Sequence, residues 1–257
     1  LEWHFLEREV FLAIWIAIFG TLGLYLLGKI KLPHDSPLEH ISVGRLSMAI
    51  LALSFTFYMV PGLWGAPLKL ISGFPPPMST NSESPYGVGF MKKQVSASGE
   101  FIAKELPKDA HFGPNDLIAF HDYEKGMAYA RKVNKPVMLD FTGLTCVNCR
   151  KMEEQVWVED EIYALLDNEI VLISLYVDDR TKLPKDQQYE SELTENTIKT
   201  YGHKWLEFQQ TRYNTNAQPL YVIQNLEGED ISPTVGYTPY VEEHYEWLKK
   251  GIENFKK

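Results

Sequence analysis

Cysteine is almost missing from this sequence: 257 residues contain two, Cys146 and Cys149. A small scaffold stapled by several bridges is therefore excluded. A basic surplus is missing too. The formal net charge is -9, whereas a phosphate backbone is bound by clustered Lys and Arg, so nucleic acid is not an expected partner. No internal repeat is present, which removes solenoids and arrays. Divided near Ser72, the chain has five basic and five acidic residues before that point and twenty basic and twenty-nine acidic after it. The acidic excess belongs wholly to the second part.

Charge is absent altogether from two long runs. Val10 to Gly28, VFLAIWIAIFGTLGLYLLG, has 19 uncharged residues, about 28 Å of helix and enough to span a hydrocarbon core. Leu46 to Trp64 is a second such run, and Trp3, Trp15 and Trp64 fall near the expected interfaces. The connection between them carries Lys29, Lys31 and Arg45. Residues 1–72 are thus expected to form a transmembrane hairpin with its loop on the cytoplasmic side and both ends outside. The alternative is a buried hairpin of a soluble domain. A signal peptide fits less well, because the first run lacks a basic leader and the second would go unexplained. Starting at Leu1, almost inside an apolar run, the chain is expected to be part of something longer.

Residues 73–114 are expected to be a linker. GFPPPMSTNSESPYGVG, from Gly73 to Gly89, is rich in Pro, Ser and Gly and has no apolar period. From Asn115 to Lys257 helical and strand-like segments alternate. Asp122 to Asn134 reads as a helix stopped by Lys135-Pro136, and PVMLDF as a buried strand. Residues 147 to 167 read as one helix, and Ile170 to Val177 as a second buried strand. Pro219 to Gln224 and Ile231 to Val235 are expected as strands flanking a hairpin connection that contains Gly228. Val241, Tyr245, Leu248, Ile252 and Phe255 mark one face of a closing helix. Strand, helix, strand, hairpin and helix in this order give an α/β fold, a mixed sheet covered by helices.

The cysteines have a defined place in that order. A buried strand ends at Phe141, a turn containing Gly143 follows, and Cys146 opens the next helix. Residues three apart on a helix share a face, so the two sulfurs can bond with little backbone movement. At the first turn the free N–H groups favour a thiolate on Cys146, and Arg150 and Lys151 add positive charge nearby. Cys146 is expected to be the exposed attacking sulfur and Cys149, one turn deeper, the resolving one. Asp140, six residues before Cys146, is a carboxylate inside an apolar strand. Burial would raise its pKa and fit it to accept the Cys149 proton, although an Asp simply bonded to backbone groups reads equally well from the residues alone.

These residues resemble the thioredoxin family. Asp140-Phe141, Cys146-Val147-Asn148-Cys149 opening a helix, and Gln218-Pro219 at the start of a strand match that fold's site order from about residue 115 to 257. With the apolar hairpin ahead of it, the domain looks most like the C-terminal part of DsbD-type thiol:disulfide interchange proteins. The resemblance implies a thioredoxin-like domain outside the bacterial cytoplasmic membrane, on the periplasmic side, fed with electrons by an upstream membrane unit. It implies a redox-active Cys146-Cys149 disulfide with no bound cofactor, and exported proteins bearing disulfides as partners. Cytochrome c biogenesis is among the processes implied. It further implies that Pro219 is cis beside the cysteines, with Gln218 next to the substrate strand, and that Glu153 works with Asp140 to tune the thiols. Read alone, Glu153 is an ordinary solvated helix residue.

Two departures stand out. Thr145 occupies the position before the first cysteine, where the family usually has Trp and where substrate would make contact. The cysteine pair of the family's membrane unit has no counterpart here, so the missing electron carrier is expected elsewhere in a longer chain or in a partner. Residues 180 to 218 exceed what the fold needs between its strands. Helix is expected near Lys204 to Thr211, as a solvated insertion or a partner surface. The competing functions are a zinc site, for which the cysteine pair would have to recruit two more ligands, a copper-delivery module of the same fold, and a merely structural disulfide. A bridge closing so short a loop restrains the unfolded chain little, which disfavours the last.

Overall fold

Burying apolar surface organises this chain twice, in two units, one containing Leu1–Ile71 and the other Met91–Lys257. The computed structural model describes residues 8–35, 39–64, 66, 68–71, 74–75, 106–191, 193–194 and 196–257. Most of the expected 73–114 linker lies outside the described residues, as does Trp3.

In the first unit the apolar runs form α1 (Arg8–Leu26) and α2 (Val43–Met59). Ser42 caps α2 by accepting the Arg45 N–H. Arg45 in turn donates to the carbonyls of Leu26 at 2.7 Å and Tyr25 at 2.9 Å, satisfying acceptors that the end of α1 leaves open. Gly23 lets the helices approach closely, since a Cβ there would lie 2.6 Å from the Leu53 side chain. Pro61 has no N–H to return to Phe57, and the chain tightens into a 3-10 turn over Val60–Trp64. Arg8–Leu26 and Val43–Trp64, 19 and 22 residues, are long and apolar enough to cross a membrane. Ile14, Ile18, Leu22, Ile50, Leu51 and Phe57 point outward from the pair.

The second unit is built on a five-stranded mixed sheet. Its strands are β1 (His111–Phe112), β2 (Ile118–Phe120), β3 (Val137–Thr142), β4 (Val171–Tyr176) and, after a separate two-stranded ribbon of β5 (Tyr189–Glu190) and β6 (Thr197–Ile198), β7 (Leu220–Gln224). The order is β1-β2-β4-β3-β7. β2, β4 and β3 run parallel, while β1 and β7 pair antiparallel at the two sides. The sheet begins at His111, ahead of Asn115, because this short edge strand pairs back on β2 across a tight turn.

β3 is buried at all six positions, as a central strand covered on both faces requires, even though Asp140 and Thr142 interrupt its apolar run. Val137, Leu139 and Phe141 face α3 (Tyr123–Val133) and α6 (Tyr201–Tyr213). Met138 faces α5 (Asp160–Asn168) and α7 (Val241–Phe255), and strand alternation sends Asp140 and Thr142 to that same side. α3 ends where expected: Asp122 caps its start, and Asn134, at φ 52°, turns the chain toward Pro136.

Three expectations need correction. The helix expected over 147–167 is broken into α4 (Val147–Lys151), a wide turn over Met152–Val156, and α5. The Trp157 N–H bonds five residues back to Met152 at 2.9 Å, and with this wider turn Trp157 lies in the core and Glu153 is buried. Ile231 to Val235 is not a continuous strand. Val235 and Ile231 bond to β7, but Pro233 between them has no N–H to give. The third correction concerns α6, which is longer than expected and is no solvated insertion. Trp205 is buried in the core beneath it, and Phe208 and Tyr213 pack their rings on Phe141.

Candidate functional site

β3 delivers its chain to Gly143, and the turn that follows is held from the neighbouring strand. Asp178, just past β4, accepts the N–H groups of Leu144 at 2.8 Å and Thr145 at 3.1 Å, and the Thr145 hydroxyl at 3.1 Å. Cys146 is the N-cap of α4: its Sγ accepts the Cys149 N–H at 3.1 Å. The two sulfurs are joined as a disulfide. Their surroundings differ sharply. Cys146 is half-buried and borders solvent, whereas Cys149 is 1% exposed. Leu144 and Val147 stand exposed on either side of the outer sulfur.

Beneath the pair lies a polar floor made by strand register. Ser174, Asp140 and Tyr221 are direct neighbours across β4, β3 and β7, and Tyr176 and Thr142 form the next row. Directly opposed residues share a face, so both rows lie under α4. Asp140 accepts the Ser174 hydroxyl through Oδ2 at 3.0 Å, while Oδ1 has no hydrogen-bond partner. Loss of water pushes Asp140 up to about 7, against the opposing pull of Ser174 and Arg150. Glu153 is pushed up to about 8, also chiefly by burial, with Arg150 opposing.

Arg150 lies inside rather than on the surface. Its Nη1 pairs with Glu153 Oε2 at 2.7 Å, and its Nη2 donates to Thr142 Oγ1 at 3.2 Å. Burial works against its charge, but Glu153, Tyr176 and Asp140 outweigh that and leave it raised. Burial lifts the Tyr176 and Tyr221 hydroxyls well above the usual tyrosine range, so both stay neutral.

The Gln218-Pro219 peptide is cis. Gln218 shares a groove of about 310 Å³ with Gly143, Thr145, Cys146, Val147, Asn148 and Asp178. The fully buried Gln209 of α6 fixes this loop: its Nε2 donates to the Ala217 carbonyl at 2.8 Å, and its Oε1 accepts from Gln218 Nε2 at 3.0 Å. The structure therefore brings Thr145, Cys146 and Gln218 to one groove, with Pro219 adjoining it, and puts Cys149, Asp140 and Glu153 below.

Sequence reasoning missed three contributors. Arg150 was expected as a nearby positive charge, yet it is a buried ion-pair partner, and its spacing of three from Glu153 was the available signal. Ser174 and Asp178 had no signal, because their roles come from strand register and from a turn closed across the sheet. Among the described residues no group of three or more His, Cys, Asp and Glu side chains is placed to hold a metal.

A family model described as a thioredoxin-like domain matches residues 123–252, just over half of the chain. No curated protein matches the sequence significantly. Among solved structures the chain is similar to a DsbH oxidoreductase, at 19% identity over 61% of this chain and 96% of that one, with a TM-score of 0.37. It is similar to a thioredoxin from Thermus thermophilus at 19% identity, covering 52% and 85% of the two chains with a TM-score of 0.37. A disulphide isomerase from Xylella fastidiosa Temecula1 matches at 16% identity, covering 52% and 85%, with a TM-score of 0.30. Likenesses this shallow carry no argument about substrate.

Proposed function

The chain belongs to the thioredoxin-like domain family, which works through a redox-active disulfide rather than a bound cofactor, and on that premise we propose that it is a membrane-anchored reductase of protein disulfides. One observation carries the reading: a half-buried sulfur at a groove is bonded to a fully buried sulfur, and the neighbouring strand β3 carries a buried carboxyl, Asp140, whose pKa burial raises.

The exchange runs in two displacements. In the reduced protein the Cys146 thiolate attacks one sulfur of a substrate disulfide, and the other substrate sulfur leaves as a thiolate with the bonding pair. Asp140 as carboxylate then takes the Cys149 proton. The Cys149 thiolate attacks Cys146 Sγ, the protein disulfide forms, and the second substrate sulfur leaves as a thiolate. The substrate has gained two electrons and the protein has lost them. Glu153 shares the buried charge balance with Asp140, while Thr145, Gln218 and Pro219 border the incoming chain.

A DsbD-type arrangement supplies the rest of the proposal. Residues 1–72 anchor the chain as a membrane hairpin, residues 73–114 link it, and residues 115–257 act outside the bacterial inner membrane on exported proteins. Electrons come from an upstream membrane unit, and cytochrome c maturation is one process served. Two apolar helices of spanning length, with Lys29, Lys31 and Arg45 between them or at the start of the second, support this placement.

Reduction of insulin disulfides by the chemically reduced protein is the test. Catalysis by the wild type, abolished in Cys146→Ser, supports the reading, and equal rates in both would contradict it. Carbonate extraction of membranes checks the anchor: the chain should stay in the pellet.

A further inference from the structure

Three ionisable side chains are sealed beneath the disulfide, and their charges do not match. Asp140, Arg150 and Glu153 are 1%, 4% and 5% exposed, which sets two carboxyls against one guanidinium. A buried cluster with an unmatched anion is costly, so in the oxidised protein, where Cys149 has no proton left to share, it retains about one proton near neutrality. Where that proton sits is decided by where the guanidinium points. Arg150 touches Glu153 at 2.7 Å, while Asp140 is bonded through Oδ2 to Ser174 and keeps Oδ1 open.

We propose that Arg150 is a positioning residue: by holding Glu153 as its ionised partner, it leaves Asp140 as the group that takes the Cys149 proton when the mixed disulfide is resolved. The inference rests on the disulfide-exchange reading, and gives a task to a side chain that reading does not use.

The charge count follows both ends of the step. Before closure Asp140 and Glu153 are anions, Arg150 is a cation, and Cys149 holds its proton. After closure Asp140 holds that proton, Cys149 is bonded to Cys146, and the departing thiolate carries the electron pair. The sealed cluster passes from one excess negative charge to none. Without Arg150 two carboxylates would face each other unscreened, Asp140 would keep a proton from the outset, and it would have no room for another.

The other groups around Asp140 leave this count unchanged. Tyr176 on β4 and Tyr221 on β7 are neutral. His244 on α7, whose ring packs on Tyr221, is pushed down to about 4 by burial and is neutral too. Glu154 acts on Glu153 by repulsion, the weakest of the influences on it. Burial lifts Glu153 to about 8, above the value of about 7 for Asp140, and taken alone that order would put the proton on Glu153. The contact argues the other way: a neutral Glu153 would leave a buried guanidinium with no counter-charge touching it.

The test compares wild type, Arg150→Met, Glu153→Gln and the double variant in the full chain, reacted as dithiols with insulin, quenched with acid and resolved by mass. Arg150→Met should slow closure by about tenfold or more at neutral pH and shift its pH midpoint upward. The first attack by Cys146 should be much less affected, so mixed disulfide accumulates. Adding Glu153→Gln removes the unscreened charge and should restore much of the closing rate. A double variant no faster than Arg150→Met, or a midpoint that does not move, overturns the proposal. Carboxyl 13C titration of the oxidised wild type gives a readout that needs no activity and no foldable single variant: Asp140 should hold the proton while Glu153 is ionised, and the reverse order contradicts the inference. A wild type that reduces no disulfide would instead defeat the exchange reading, leaving the titration to judge Arg150 by itself.

Discussion

Ser174 and Asp140 stand directly opposite each other on β4 and β3, and the serine hydroxyl donates to Asp140 Oδ2 at 3.0 Å inside a fully buried layer. That bond favours the charged form of the acid, so Ser174 keeps the Asp140 pKa from rising further.

Asp140→Asn removes the acceptor of the Cys149 proton. Mixed disulfide with insulin should then close roughly a hundredfold more slowly at neutral pH, within the usual range for a lost general base. Ser174→Ala should slow closure by only a few fold and move its pH dependence upward. Quench and mass analysis reads both.

Stability of the oxidised protein should fall as pH rises through the weakly acid and neutral range. Asp140 has a folded value of about 7, above the roughly 4 of the unfolded chain. Between those limits the native state binds more protons than the unfolded one, so each unit of pH lowers the unfolding free energy. Asp140→Asn should flatten the slope and stabilise the protein near neutrality by about 2–4 kcal/mol. Urea titrations across pH measure this.

Asp178 should matter beyond its exposure. Asp178→Ala frees the Leu144 and Thr145 N–H groups and the Thr145 hydroxyl. The expected cost is about 1–2 kcal/mol, with a loss of insulin reduction larger than that loss of stability explains, because the turn aims Cys146.

Gly202, in the first turn of α6, should resist substitution. A Cβ there would lie 2.5 Å from the Asp179 carbonyl oxygen and 2.8 Å from that of Val177. These are backbone atoms of the segment that carries Asp178. Gly202→Ala should cost about 2–3 kcal/mol and lower activity with it, as thermal unfolding and the insulin assay would show.

What could be read in advance was whatever local chemistry writes. Asp122 before an amphipathic stretch and Asn134 before Lys135-Pro136 mark both ends of α3, and the apolar period from Val241 to Phe255 marks α7. The cysteine pair after a buried strand marks the site. What could not be read depends on contacts across the sheet. Trp157 looks like a helix residue until its burial against Tyr221 is known, and that burial breaks the expected helix. Trp205 and Phe208 lie in a polar-looking segment, yet α6 covers Phe141. Arg150 has the composition of a surface residue and becomes buried only because Glu153 and Thr142 receive it.

The measurement closest to the central claim is alkylation of the dithiol protein by iodoacetamide, with each cysteine followed separately by mass as pH is varied. Cys146 should react readily at neutral pH with a midpoint below that of a free thiol, and Cys149 should stay protected until the fold is opened by denaturant. Equal, slow labelling of both cysteines in the native dithiol form would contradict the account.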